Sequence, residues 1–302
     1  LKITILGNNS AIPAHGRYPS AQVVEIKDQL LLLDCGEGTQ MQLIKYAIKR
    51  SKIHHIFISH LHGDHYFGLI GLINSFGLLG RTDPLHIYGP ELLQAIIELQ
   101  LSACSAQLPF ELIFHAISDS GERRTLVAND SFSVHCFPVD HRIATHGFCI
   151  KEQSKGKKLN LEAIRAYGVP QYFYKRLQAG EDYTNKEGEI IRNEWLTFEG
   201  VGDKMYAYCA DTRYTEAFLE DIKGAQVIYH ESTYLESEAD LAFMRYHATA
   251  AQAAKLADAA GARQLLLGHY SSRYKEIAAF EVEARQYFAD SLATYEGLAF
   301  SF

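Results

Sequence analysis

The run Ser59-His60-Leu61-His62-Gly63-Asp64-His65 follows directly on the apolar residues Ile56-Phe57-Ile58. A strand that ends in three imidazoles and a carboxylate constrains this chain more than any other feature. In extended backbone residues i and i+2 point to the same side, so His60 and His62 can address one cation. Gly63 allows a sharp turn, after which Asp64 and His65 open a helix and approach from a different direction. Such a motif can hold two cations side by side. An ordinary polar loop rich in histidine is the plain alternative, and it loses weight because further ligands are available at other strand ends.

Those ligands are His141 in Pro138-Val139-Asp140-His141-Arg142, Asp211 in Tyr208-Cys209-Ala210-Asp211-Thr212 and His269 in Leu265-Leu266-Leu267-Gly268-His269. Each stands where an expected strand stops, the usual place for site residues in sheet-based folds. The seven groups divide into His60, His62 and His141 on one metal and Asp64, His65 and His269 on the other. Asp211 can bridge, because a carboxylate has two oxygens whereas an imidazole offers one free nitrogen. Imidazole-rich ligation with few carboxylates favours two zinc ions per subunit, ahead of manganese or iron. Two metals roughly 3.5–4 Å apart would hold an activated hydroxide and neutralise an anionic ester, so the pattern points to hydrolysis, best of phosphodiesters.

The rest of the chain supplies a frame for this site. Apolar runs at 2–6, 21–26, 30–33 and 55–58 read as strands, and helices are expected at about 37–47, 64–78 and 90–101. Several strands fall within 111–138. Strands at 205–210, 225–230 and 263–268 follow, with an Ala-rich helix at 248–260, a helix near 275–288 and a strand-like tail. Strands in both βα alternation and meander runs predict two mixed sheets with helices outside. A length of 302 residues with 47% hydrophobic and 22% charged residues is sufficient for a large globular core. Five cysteines without a CxxC pair argue against a disulfide framework and for a reducing cytoplasm. The opening Leu1-Lys2-Ile3-Thr4-Ile5-Leu6 reads as a strand and not as a signal peptide, and no apolar stretch reaches the roughly 18 residues a membrane span needs. A net charge of −7 argues against non-specific nucleic-acid binding by the whole surface.

Residues 151–198 depart from the α/β pattern. Lys151, Lys155, Lys157, Lys158, Arg165, Lys175 and Arg176 face only Glu152 and Glu162 between 151 and 176, and Tyr167, Tyr172, Phe173 and Tyr174 are interleaved. A solvated helical hairpin is one reading. A basic projection with exposed aromatics, suited to a nucleic-acid backbone and its stackable bases, is the other.

Taken together, HxHxDH with distant His, Asp and His resembles the metallo-β-lactamase superfamily. The resemblance narrows to the ribonuclease Z (tRNase Z) family through Asp34-Cys35-Gly36-Glu37-Gly38-Thr39-Gln40, Asp211-Thr212-Arg213, His230-Glu231-Ser232-Thr233, His247-Ala248-Thr249 and Gly268-His269-Tyr270-Ser271-Ser272-Arg273-Tyr274. It covers almost the whole chain. It implies an αββα sandwich of two mixed sheets flanked by helices over 1–302, with a flexible tRNA-binding arm inserted at 151–198. It implies a homodimeric endonuclease that removes 3′ trailers from precursor tRNA; no protein partner is inferred, and the apolar runs predict no membrane span. It implies the same seven ligands, a role for Asp64 in positioning or deprotonating the attacking water, and a role for His247 in protonating the leaving 3′ oxygen. On its own, a histidine between Tyr246 and an Ala-rich stretch reads more readily as a capping or core residue. Glu231 is expected to orient His247, as carboxylates commonly orient catalytic histidines.

Ser271, Ser272 and Arg273 follow a ligand and offer hydroxyl and guanidinium donors to a phosphate beside the cut; Arg17 is a further candidate at the rim. Lys157, Lys158, Lys175 and Arg176 belong to the arm-like segment. Here the chain departs from the family, which carries a Pro-Gly-Pro tract where this sequence has Gln171-Tyr172-Phe173-Tyr174 after Pro170. Either these aromatics form an RNA platform or they pack internally. The alternative enzyme reading is a hydrolase of the same fold acting on a small ester, such as a phosphodiesterase, arylsulfatase or lactonase. His15, His54, His55, His86, His115, His135, His146 and His230 read as structural.

Overall fold

The computed structural model describes residues 1–154, 156–200 and 202–302; Lys155, counted among the cations above, lies outside them. By chain contacts it divides into two compact units, Leu1–Lys151 with Met205–Phe302, and Glu152–Lys204.

The larger unit contains two seven-stranded sheets. Its first half runs β1 (Lys2–Gly7), β2 (Ala21–Ile26), β3 (Gln29–Leu33), β4 (Ile53–Phe57), β5 (Leu85–Pro90), β6 (Leu112–Ile117), β7 (Arg124–Ala128), β8 (Phe132–Pro138) and β9 (His146–Glu152). Four two-residue strands of the smaller unit come next: β10 (Lys158–Leu159), β11 (Tyr183–Thr184), β12 (Ile190–Ile191) and β13 (Thr197–Phe198). The chain then forms β14 (Lys204–Cys209), β15 (Val227–Glu231), β16 (Gln264–Gly268), β17 (Ser291–Ala293) and β18 (Ala299–Ser301). The sheet orders are β18-β1-β2-β3-β4-β5-β6 and β17-β16-β15-β14-β9-β8-β7. Both are mixed: β1, β2 and β3 pair antiparallel while β3 to β6 pair parallel, and β14 to β17 pair parallel while β7 and β8 pair antiparallel.

Period-two alternation explains the layers. Along β3, Leu31 and Leu33 join a core that also takes Phe132, Val134, Phe148, Tyr206, Tyr208 and Tyr229 from the second sheet. Leu30 and Leu32 turn the other way, against Leu69, Leu72, Ile73 and Phe76 of the helix Leu69–Leu78. The outer face of the second sheet, with Ala207, Cys209, Ile228, Leu265 and Leu267, packs on Ala250, Ala253, Ala254 and Ala257 of the helix Ala250–Ala259. Alanine lets this helix lie close to the sheet, and its start is fixed by a reciprocal cap between Thr249 and Gln252. The result is the αββα sandwich expected from the sequence.

Two local expectations are corrected. The helix expected at 64–78 is two helices, Gly63–Tyr66 and Leu69–Leu78. They part at Gly68, whose N–H donates to Cys35 O (2.9 Å) and whose Cα lies so close to Gly36 O that an added Cβ would stand 2.1 Å from it. The strand β5 is absent from the sequence reading, since Pro84 and the alternating His86 mask its apolar positions.

The smaller unit has its own core of Ile164, Val169, Phe173, Leu177, Tyr183, Ile191 and Leu196. Three short helices (Leu161–Ala166, Tyr174–Gln178, Asn193–Leu196) and the ladders β10–β13 and β11–β12 surround it, so it is not a helical hairpin. Asn193 is buried and joins its parts, donating from Nδ2 to Leu177 O (2.8 Å) and Glu181 O (2.9 Å). The aromatic residues after Pro170 divide: Phe173 is buried and Tyr172 is 80% exposed.

Candidate metal centre

All seven expected ligands come together where strands of both sheets end. The loop after β4 supplies His60 and His62, the helix Gly63–Tyr66 supplies Asp64 and His65, and the ends of β8, β14 and β16 supply His141, Asp211 and His269. His62 Nδ1 lies 3.0 Å from His60 Nε2 and 3.2 Å from His141 Nε2. His65 Nε2 lies 3.3 Å from His269 Nε2, which is 3.3 Å from Asp64 Oδ2. Between the two groups stands Asp211. Its Oδ2 faces His60 and His141, both at 3.8 Å, and its Oδ1 faces His65 at 3.4 Å and His269 at 3.2 Å.

Hydrogen-bond bookkeeping settles which nitrogens face inward. Ser59 Oγ donates to Asp34 Oδ2 (2.9 Å), so it must accept from His60 Nδ1 (3.0 Å). His65 Nδ1 donates to the same Asp34 oxygen at 2.7 Å, and His141 Nδ1 to Tyr246 O at 2.9 Å. Thr233 Oγ1 donates to Glu231 Oε2 (2.8 Å) and therefore accepts from His269 Nδ1 (2.9 Å). Four imidazoles are thereby held by Nδ1 with Nε2 turned toward the centre, the arrangement that raises ligand basicity and fixes ring orientation. Nitrogen and oxygen ligands about 2.0–2.1 Å from a tetrahedral zinc stand about 3.3–3.4 Å from one another, and the distances above scatter around that value. Asp211 Oδ1 is buried with no hydrogen bond of acceptable geometry among the described residues. Facing lone pairs and an orphaned carboxylate oxygen are what a cation would resolve, so the donor set fits a divalent metal in each group.

Electrostatics agree. Burial first, and then neighbouring His65, keep His60 well below its ordinary range; burial and His141 push His62 down to about 4. Both are neutral and able to ligate. Burial works against the charge on Asp211 and Asp64, yet surrounding histidines hold both carboxyls well below the usual range. His65 runs the other way: burial opposes its charge, but Asp211, Asp34 and Asp64 raise it well above normal. A metal entering there displaces a proton.

His247 adjoins both groups, with ring centroids 5.3 Å from His141 and 5.4 Å from His269. Its Nδ1 donates to Glu231 Oε1 at 2.9 Å. Glu231 is fully buried and accepts the N–H groups of Thr212 (3.1 Å), Ala248 (3.0 Å) and Thr233 (2.9 Å) as well. Burial opposes a charge on His247, but Glu231 outweighs it and raises the imidazole above its ordinary value. His247 also comes within ligand reach of Asp211 and His269. Its carboxylate partner favours the imidazolium, the form that offers a proton in place of a lone pair.

Ser271 follows His269 and is buried, its N–H on Thr233 O at 3.1 Å, while the Arg273 guanidinium is exposed and 3.5 Å from Glu238. Ser272 O accepts from His15 Nε2 (2.8 Å). Arg17 is committed elsewhere, donating to Asn9 Oδ1, Lys275 O and Tyr274 O. Lys157, Lys158, Lys175 and Arg176 belong to the smaller unit. There Lys157 lies 3.3 Å from Glu199 and Arg176 2.6 Å from Glu181, whereas Lys158 and Lys175 are exposed without an ion pair among the described residues.

Several groups that order the centre are missing from the sequence reading. Asp34 accepts from Ser59 N (2.8 Å), Ser59 Oγ, His65 Nδ1 and Tyr208 Oη (2.6 Å). Thr233, Ser59 and the Ala11 N–H, which donates to Asp64 Oδ2 at 2.7 Å, are others. The available signal was a carboxylate directly after the leucine run of β3. Asp34 and His269 both follow strands with φ of 55° and 61°, a left-handed conformation costly for residues with a Cβ and concentrated at functional sites.

Comparisons with known proteins place this geometry. The chain is 41% identical over 300 residues to a ribonuclease Z of Bacteroides fragilis, covering 99% of this chain and 98% of that one. It is 40% identical over 295 residues to a ribonuclease Z of Porphyromonas gingivalis, covering 97% and 96%. Residues 1–160 match the family model described as anti-Pycsar protein Apyc1. Among solved structures, the short form of human tRNase Z superposes with a TM-score of 0.73 at 24% identity over 100% of this chain and 99% of that one. The metallo-β-lactamase-fold protein YhfI of Bacillus subtilis gives 0.68 at 19% over 99% and 98%.

Proposed function

The chain belongs to the ribonuclease Z family, a hydrolytic nuclease of tRNA 3′ processing, and we propose that it removes the 3′ trailer from precursor tRNA at a centre of two divalent cations, leaving a 3′-hydroxyl. The observation that carries the two-cation reading is Asp211, with one oxygen turned to each ligand group. His60, His62, His141 and Asp211 would hold one cation, and Asp64, His65, His269 and Asp211 the other. Zinc suits this donor set ahead of manganese or iron. When bound, such cations lower the pKa of water and offset charge on a phosphoryl oxygen.

The protein's own groups do the rest. Asp64, held by the Ala11 N–H, positions or deprotonates the attacking water. His247, kept protonated by Glu231, delivers a proton to the departing 3′ oxygen, and the backbone bonds on Glu231 keep that pair in register. Ser271, Ser272 and Arg273 bind the phosphate beside the cut. The 151–198 insertion acts as the arm that grips the tRNA, and a homodimer lets the arm of one subunit serve RNA bound at the other. Met41 and Ile44, more than half exposed on the helix Thr39–Lys45, are suitable for such an interface. No helix among the described residues is long and apolar enough to cross a membrane, and free cysteines throughout agree with a cytoplasmic enzyme.

The test is incubation with a precursor tRNA bearing a 3′ trailer, with and without a chelator. A cut mapped to the discriminator base and abolished by the chelator is expected. A protein that spares the precursor yet hydrolyses small phosphodiesters overturns the assignment in favour of the small-ester alternative.

A further inference from the structure

Tyr167 and Trp195 stack on each other at the surface of the Glu152–Lys204 unit, ring centroids 6.5 Å apart and planes 25° from parallel. Trp195 is the only tryptophan of the chain. The two residues are 44% and 49% exposed, so a large aromatic surface faces water. Their mounting is rigid. Tyr167 closes the helix Leu161–Ala166 with its N–H on Ala163 O at 2.9 Å, three residues after the buried Ile164. Trp195 immediately precedes Leu196, which is fully buried. Asn160 ties the two segments together: its Oδ1 caps the helix at Ala163 N (3.2 Å), its N–H donates to Leu196 O (2.9 Å) and its Nδ2 to Trp195 O (3.4 Å).

The charge of the unit narrows what such a surface can bind. The basic run at 151–176 is offset further along, because residues 152–204 hold nine basic and nine acidic side chains. Several cations are paired within the unit, Lys157 with Glu199, Arg176 with Glu181 and Arg192 with Glu194 at 3.6 Å. A balanced surface gains little from the phosphate field. Aromatic faces, by contrast, stack on any nucleobase without needing net charge or a particular sequence. Resting on the ribonuclease reading above, we propose that the Tyr167–Trp195 pair is a stacking platform for an exposed base face of the RNA substrate. It would supply a contact that salt barely weakens, beside lysine contacts that salt screens.

The single tryptophan makes this directly measurable. Metal-loaded protein is titrated with mature tRNA, its length checked on a gel before and after, while tryptophan emission is followed. Saturable quenching by tRNA and none by heparin, a polyanion without bases, is expected. Trp195→Ala should raise KM for a precursor tRNA about 5- to 150-fold, the range for loss of one base stack, with kcat little changed and the same fold-loss at about 50 and 200 mM salt. Trp195→Phe, which keeps an aromatic face, should recover most of it, and Tyr167→Leu should reproduce the KM effect in a protein with unaltered far-ultraviolet circular dichroism. Absent quenching, equal quenching by heparin, emission that changes with protein concentration alone, or a folded Trp195→Ala protein with normal KM each overturns the platform. An unmodified protein that leaves the precursor intact but is still quenched by tRNA removes the ribonuclease reading and retains the platform.

Discussion

Asp34 illustrates how a residue that binds nothing itself can order a metal centre. One of its oxygens accepts hydrogen bonds from Ser59, His65 and Tyr208, and through Ser59 it also fixes the tautomer of His60. Replacing it with Asn leaves size intact but turns an acceptor into a donor against His65. Asp34→Asn is expected to weaken metal binding about 10- to 100-fold, read by titration with a competing chelator. At His247, substitution by Ala should lower turnover about 10²–10⁴-fold with metal content retained, the range for a general acid; single-turnover cleavage alongside metal analysis decides it. The pair with Glu231 adds a pH signature. Because the carboxylate raises the imidazole pKa, His247 stays protonated, and the stabilising ion pair persists, until pH climbs through that raised value. Glu231→Gln removes the charge and should move the basic limb of the pH–rate profile to lower pH. An unmoved limb would assign Glu231 a purely architectural part.

At the level of elements, the sequence made the clustered candidate ligands legible because they are local or terminal. HxHxDH occupies one turn, and His141, Asp211 and His269 each end an apolar run that is easily seen. Their supports were not legible for the same reason in reverse: Asp34 meets Tyr208 across 174 residues and Thr233 meets His269 across 36, separations that no periodicity reports. The insertion was only half legible. Counting charge over 151–176 stops before Glu181, Asp182, Glu187, Glu189, Glu194 and Glu199, so a basic arm was expected where the completed unit is balanced. Its core of Phe173, Leu177 and Leu196 was hidden in a segment that lacks a clear apolar period. Deleting 155–195 is expected to impair cleavage of precursor tRNA far more than hydrolysis of bis(p-nitrophenyl) phosphate, and parallel kinetics on the two substrates measure the difference. Equal losses would mean that the insertion supports the fold and not the RNA.

For the whole molecule, the candidate ligand set belongs to neither sheet. His60 and His62 of the first sheet share a group with His141 and Asp211 of the second, and Asp64 and His65 share the other with His269 and the same Asp211. Chelation should therefore abolish both activities and lower Tm, and the Tm should rise again with added zinc in a concentration-dependent way. A ligand that binds only the native state adds about 4 kcal/mol at a thousandfold excess over its Kd. The two sheets share one apolar core, and burial of apolar surface, being non-directional, does little to stop one sheet sliding on the other. Two cations pinned across that core would act as rivets at one rim. Pulled along the strands, a loaded molecule should yield at higher force than a stripped one, and amide exchange should quicken first in the strand ends nearest the missing rivets.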